Sequence, residues 1–121
     1  MAKQLRIMVV EDEFIIADEI AAIVEESGHE VMGPFGSIEE AAAKLSADDK
    51  PDFAILDANL RGRSSVPVAD RLKALGVPFC LCTGYRSDDL HGTFGDAPVL
   101  QKPVNPRALV TVIESIRSRQ S

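Results

Sequence analysis

Runs of consecutive apolar residues alternate along this chain with segments whose apolar positions recur every three or four residues. Residues 5–10 (LRIMVV) and 53–56 (FAIL) have no helical period, which predicts strands buried on both faces, as in parallel sheets covered by helices. Between them Ile16, Ile20, Ile23 and Val24 fall at helical spacing and predict one apolar helix face that ends at Gly28. A short strand over residues 29–33 and a turn over 34–36 follow. Ser37, with Glu40 three residues on, then opens a capping-box helix whose buried side is Ala41, Ala42 and Leu45.

Beyond the 53–56 strand the pattern predicts a flexible polar loop over 59–65, a helix through Val68, Leu72 and Leu75, and a fourth strand over 77–82. The periodicity then weakens. Residues 86–96 contain Gly92 and Gly95 and few apolar positions, so the fourth helix should be short, frayed or absent. A brief last strand over 98–101 precedes a terminal helix capped by Asn105, with Pro106 at its first position and Leu109, Val112, Ile113 and Ile116 as its stripe. Five strands alternating with helices predict an α/β fold, a doubly wound parallel sheet of order 2-1-3-4-5.

Composition narrows the partners. A chain of 121 residues is expected to be a single domain, 1–121, with no output domain. Its net charge of −6 argues against nucleic acid and against anionic membranes, and the opening residues are too briefly apolar for a signal or spanning helix, so the expected location is cytoplasmic. Cys80 and Cys82, two apart in one strand, are expected to be buried thiols, with His29 and His91 in unrelated contexts. Val110 lies outside the terminal helix's stripe, which leaves a monomer or a weak dimer open.

The predicted order brings Glu11 and Asp12, at the end of the first strand, next to Asp57 at the end of the third. Thr83 and Lys102 follow the fourth and fifth strands at the same rim. Each has an ordinary alternative: first-turn helix acids, a turn hydroxyl, a solvated lysine. All of them together at the ligand-binding rim of a doubly wound sheet favour a site. Three gathered carboxylates repel each other, which a raised pKa for one of them or a hard cation would relieve; oxygen ligands favour magnesium, and the formal sum of three acids against Lys102 and a divalent ion is then about neutral. Asp57 could serve as nucleophile toward a phosphoryl donor, with Lys102 and Thr83 stabilising the phosphoryl oxygens. A magnesium-dependent phosphohydrolase and an unphosphorylated interaction module stay open. A dinucleotide site does not, because acids stand where a glycine-rich loop is required.

With these residues in hand the whole chain resembles the response-regulator receiver domains of two-component signalling. The resemblance rests on Val9-Val10-Glu11-Asp12-Glu13, Ile55-Leu56-Asp57, Thr83-Gly84 and Gln101-Lys102-Pro103. It implies a CheY-like fold and magnesium held by Asp12, Asp57 and the backbone carbonyl of Asn59, with Glu11 acting through water. It also implies a cis Lys102–Pro103 bond and phosphoryl transfer from a histidine kinase to Asp57. Such a domain is not an enzyme beyond slow self-dephosphorylation, and its output is a downstream protein or a histidine phosphotransferase in a phosphorelay, or it drains the kinase as a phosphate sink. Most receivers carry an aromatic switch residue shortly before the lysine, but residues 98–101 (PVLQ) have none. Residues 78–85 (PFCLCTGY) instead resemble the signature of the FAT GUY receivers, often paired with HWE-type kinases, which leaves Tyr85 either as the alternative switch or gate beside Thr83 or as an ordinary half-buried loop anchor.

Overall fold

A computed structural model describes residues 3–84 and 94–120. The strands β1 (Arg6–Val10), β2 (Glu30–Phe35), β3 (Phe53–Asp57), β6 (Phe79–Thr83) and β7 (Val99–Gln101) form one parallel sheet of order β2-β1-β3-β6-β7. That is the predicted 2-1-3-4-5 order once a small hairpin, β4 (Asn59–Leu60) with β5 (Arg63–Ser64), is set apart. The described helices are α1 (Phe14–Glu26), α2 (Ile38–Lys44), α3 (Val66–Ala74) and α4 (Pro106–Gln120). The expectation of a weak helix over 86–96 falls mostly outside the described residues, as does Tyr85.

The central strands are apolar throughout because both of their faces are covered. Successive side chains alternate between the two layers. Met8, Val10, Ala54, Leu56 and Leu81 pack with Ile38 and Ala41 of α2 and with Val68 and Leu72 of α3. Ile7, Val9, Phe53, Ile55, Cys80 and Cys82 pack with Ile20 and Val24 of α1 and with Leu109, Ile113 and Ile116 of α4. Both cysteines are free and buried, as expected. Two predicted caps are present: Ser37 Oγ accepts from Glu40 N at 3.1 Å, and Asn105 Oδ1 accepts from Arg107 N at 2.9 Å and Ala108 N at 3.2 Å.

Two segments differ from the sequence expectation. The second strand runs past Gly33 to Phe35, through a cis Gly33–Pro34 bond. Proline is tolerated there because β2 is an edge strand, and Gly33 (φ 107) is required because a Cβ would lie 3.0 Å from the Val9 carbonyl oxygen. The stretch over 59–65, expected as a flexible loop, is instead largely the β4–β5 hairpin. Its two central residues, Arg61 (φ 54) and Gly62 (φ 82), both take the positive φ that tight hairpins need, and Asn59 Oδ1 accepts from Gly62 N at 2.8 Å. Leu60 is buried beneath it, which ties the hairpin to the core.

Candidate active site

Parallel registry delivers the site residues to one rim. Val10 pairs with Leu56, so Glu11 follows β1 beside Asp57, the last residue of β3. Asp57 pairs with Cys82 on β6, which places Thr83 one residue further along. Thr83 pairs with Gln101 on β7, and the Lys102 backbone N–H donates to the Thr83 carbonyl at 2.9 Å. Lys102–Pro103 is cis, in agreement with the resemblance.

The side chains converge around the Lys102 ammonium. Its Nζ lies 2.6 Å from Glu11 Oε1, 2.9 Å from Asp57 Oδ2 and 3.4 Å from Glu13 Oε1. Asp57 Oδ1 accepts from Asn59 N at 3.1 Å, and Glu11 Oε2 accepts from Glu13 N at 3.0 Å. Glu11 and Asp57 are buried, Asp12 is half-buried, and the three offer carboxylate oxygens that all lie within 4.8 Å of one another. Such an all-oxygen set suits a hard divalent cation. A cleft of about 400 Å³ opens over Asp12, Asp57, Asn59 and Lys102 and is bounded by Glu13, Arg61 and Gly84. Thr83 is fully buried at the same rim and does not line this cleft, whereas its neighbour Gly84 does.

Burial raises the Glu11 carboxyl from 4.5 to about 7. The hydrogen bonds from Lys102 and the Glu13 backbone N–H work against that rise, and the nearby Asp57 carboxyl adds to it. Lys102 moves the other way. Burial opposes its charge, but hydrogen bonds to Glu11 and Asp57 and their charges outweigh burial and hold it above its ordinary value.

Glu13 is the residue that sequence reasoning missed. The acidic run after β1 was visible, but only its first two members were assigned to the site. In the structure Glu13 is the N-cap residue of α1, extended at φ −82 and ψ 110, and its carboxylate reaches Lys102. The usable signal was position: the residue between a strand's carboxyl end and a helix start sits over the same rim at which Lys102 arrives. With Asp12, the acids gathered at this rim are therefore four, so one ammonium and one divalent ion would leave the ionised site at a formal −1 rather than neutral.

Among the described residues no helix is long and apolar enough to cross a membrane. Over 112 residues the chain is 28% identical to the transcriptional regulatory protein PdtaR of Mycobacterium tuberculosis, covering 92% of this chain and 54% of that protein. It is 34% identical over 110 residues to the phyllosphere-induced regulator PhyR of Methylorubrum extorquens, covering 88% of this chain and 41% of the relative. The chain thus spans about half the length of these relatives. Its fold superimposes with a TM-score of 0.82 on a CheY-like response regulator receiver domain protein from Methanospirillum hungatei, at 27% identity, covering 98% of this chain and 97% of that one. The family model of the response regulator receiver domain matches residues 7–114, nearly all of the sheet and its helices, and the chain belongs to that family.

Proposed function

We propose that Asp57 is a phosphoacceptor that takes its phosphoryl group from a phosphohistidine of a histidine kinase. The observation that carries this reading is a buried carboxylate at a strand end, held 2.9 Å from a lysine ammonium, inside an acidic oxygen set and beneath an open cleft. In the transfer one Asp57 oxygen attacks phosphorus and the P–N bond to the imidazole breaks. The bonding pair leaves with the ring nitrogen, and an acyl phosphate forms on Asp57. Lys102 pairs with the phosphoryl oxygens, and Asn59 N–H orients the attacking carboxylate. Glu11, Asp12, Asp57 and the Asn59 carbonyl would hold magnesium, which supplies charge neutralisation at those oxygens when bound.

Thr83 is the residue proposed to report the modification. Its carbonyl is already tied to the Lys102 backbone, so a pull on the lysine reaches the end of β6 and the segment that begins with Tyr85. The segment 78–85 supports a place among the FAT GUY receivers with an HWE-type kinase as donor. We read the domain as a signalling module that hands its signal to a downstream protein or its phosphoryl group to a histidine phosphotransferase, losing phosphate only slowly by itself. The test is labelling with acetyl phosphate and magnesium, followed by intact mass. The expected product is one added phosphoryl group per chain, absent in Asp57→Asn. An Asp57→Asn protein that labels at the wild-type rate refutes the assignment.

A further inference from the structure

One carboxylate at the cleft, Glu13, has no part in the chemistry described so far. Lys102 Nζ is shared among Glu11, Asp57 and Glu13, at 2.6, 2.9 and 3.4 Å. The first two belong to the set that would hold a cation, and Glu13 does not. A divalent ion there repels the ammonium and takes up the charge of its two nearest partners. Glu13, with a side chain 61% exposed at the edge of the cleft, is the carboxylate left to anchor Lys102 on the side from which a phosphoryl group enters. The same exposed charge faces any free phosphate anion that approaches.

We propose that Glu13 is a positioning and selectivity residue. It keeps Lys102 at the mouth of the cation-loaded site, and its field disfavours small anionic phosphodonors relative to a phosphohistidine carried in by a protein. This rests on the phosphoacceptor reading. Its signature is a split in kinetics, since loss of the anchor lowers the maximal rate while loss of the repelling charge tightens the donor's half-saturation. For one charge several ångströms from a phosphate dianion in a largely aqueous cleft, the expected size of each change is about 3–10-fold at low ionic strength. Near 1 M salt the screening length falls to about 3 Å, and the gain in half-saturation should vanish.

The experiment compares wild type, Glu13→Gln and Glu13→Asp with magnesium, using acetyl phosphate and phosphoramidate as donors, at low and high salt. Support consists of a half-saturation lowered in Glu13→Gln but not in Glu13→Asp, abolished by salt and weaker for the less charged phosphoramidate, together with a reduced maximal rate. A half-saturation in Glu13→Gln equal to wild type, or lowered equally in both variants, overturns the inference and leaves the acceptor reading standing. No labelling of the wild-type protein by either donor overturns both.

Discussion

The proton on Glu11 and a cation in the proposed magnesium site compete for the same oxygens. Burial raises the Glu11 carboxyl to about 7, so at neutral pH this ligand is half protonated in the metal-free protein. Its ionised fraction falls from about nine tenths at pH 8 to about one tenth at pH 6, whereas an ordinary glutamate stays almost fully ionised over that range. Cation binding needs the ionised form. Apparent magnesium affinity should therefore drop about tenfold between pH 8 and pH 6, or about 1.4 kcal/mol. Lys102, held above its ordinary value, stays charged throughout and adds no slope of its own. Calorimetric titration in two buffers of different ionisation enthalpy supplies a second readout, since about half a proton should be released per ion bound at pH 7. Glu11→Gln should bind more weakly and lose the pH dependence. The sign for stability runs opposite to the affinity. A carboxyl whose folded value is raised stabilises the fold fully below its unfolded value, and that contribution is lost as pH rises through about 7. The metal-free Tm of wild type relative to Glu11→Gln should fall from pH 5 to pH 8, and added magnesium should offset that fall. An affinity that stays flat from pH 6 to pH 8, without proton release, would refute the reasoning.

Two further outcomes follow from the same geometry. Lys102→Met removes the ammonium that now occupies the acidic cluster, so the metal-free protein should lose about 2–3 kcal/mol in urea denaturation while magnesium affinity rises; an unchanged affinity would show that lysine and cation do not share these oxygens. Ser65→Ala should be neutral or stabilising by about 1 kcal/mol in the same assay, because Ser65 precedes α3 with a fully buried Oγ that meets no hydrogen-bond partner among the described residues; a loss of 1 kcal/mol or more would mean the hydroxyl caps after all.

The parts of the fold that were legible in the sequence are those where one local signal suffices. FAIL in residues 53–56 reads as a doubly covered strand because each of its residues is buried, and the caps at Ser37 and Asn105 read correctly because a side-chain oxygen needs only its own helix's amides. The hairpin over 59–64 was missed for a different reason. Its turn has Arg61 where glycine, asparagine or aspartate gives the usual signal, and what holds it is partly non-local: Leu60 beneath it in the core and a Ser65 N–H that donates to the Ala58 carbonyl at 3.1 Å.

The site divides along the same line. Glu11, Asp57, Thr83 and Lys102 could be gathered from sequence because a parallel sheet in a known order fixes which strand ends are neighbours. The way charge is shared among them could not, since it depends on distances of a few tenths of an ångström that no strand order specifies. Strand order alone leaves open whether Lys102 faces the cleft by itself or is shared among the acids. In the structure it is held by Glu11 and Asp57, two of the carboxylates that a cation would need, and Glu13 stands as a third acid beside it. A cation held by Glu11, Asp12 and Asp57 would compete with Lys102 for two of its three carboxylates. On the proposed reading, ion binding would then be coupled to lysine placement, and the backbone hydrogen bond from Lys102 to the Thr83 carbonyl is the contact through which that coupling would reach the end of β6.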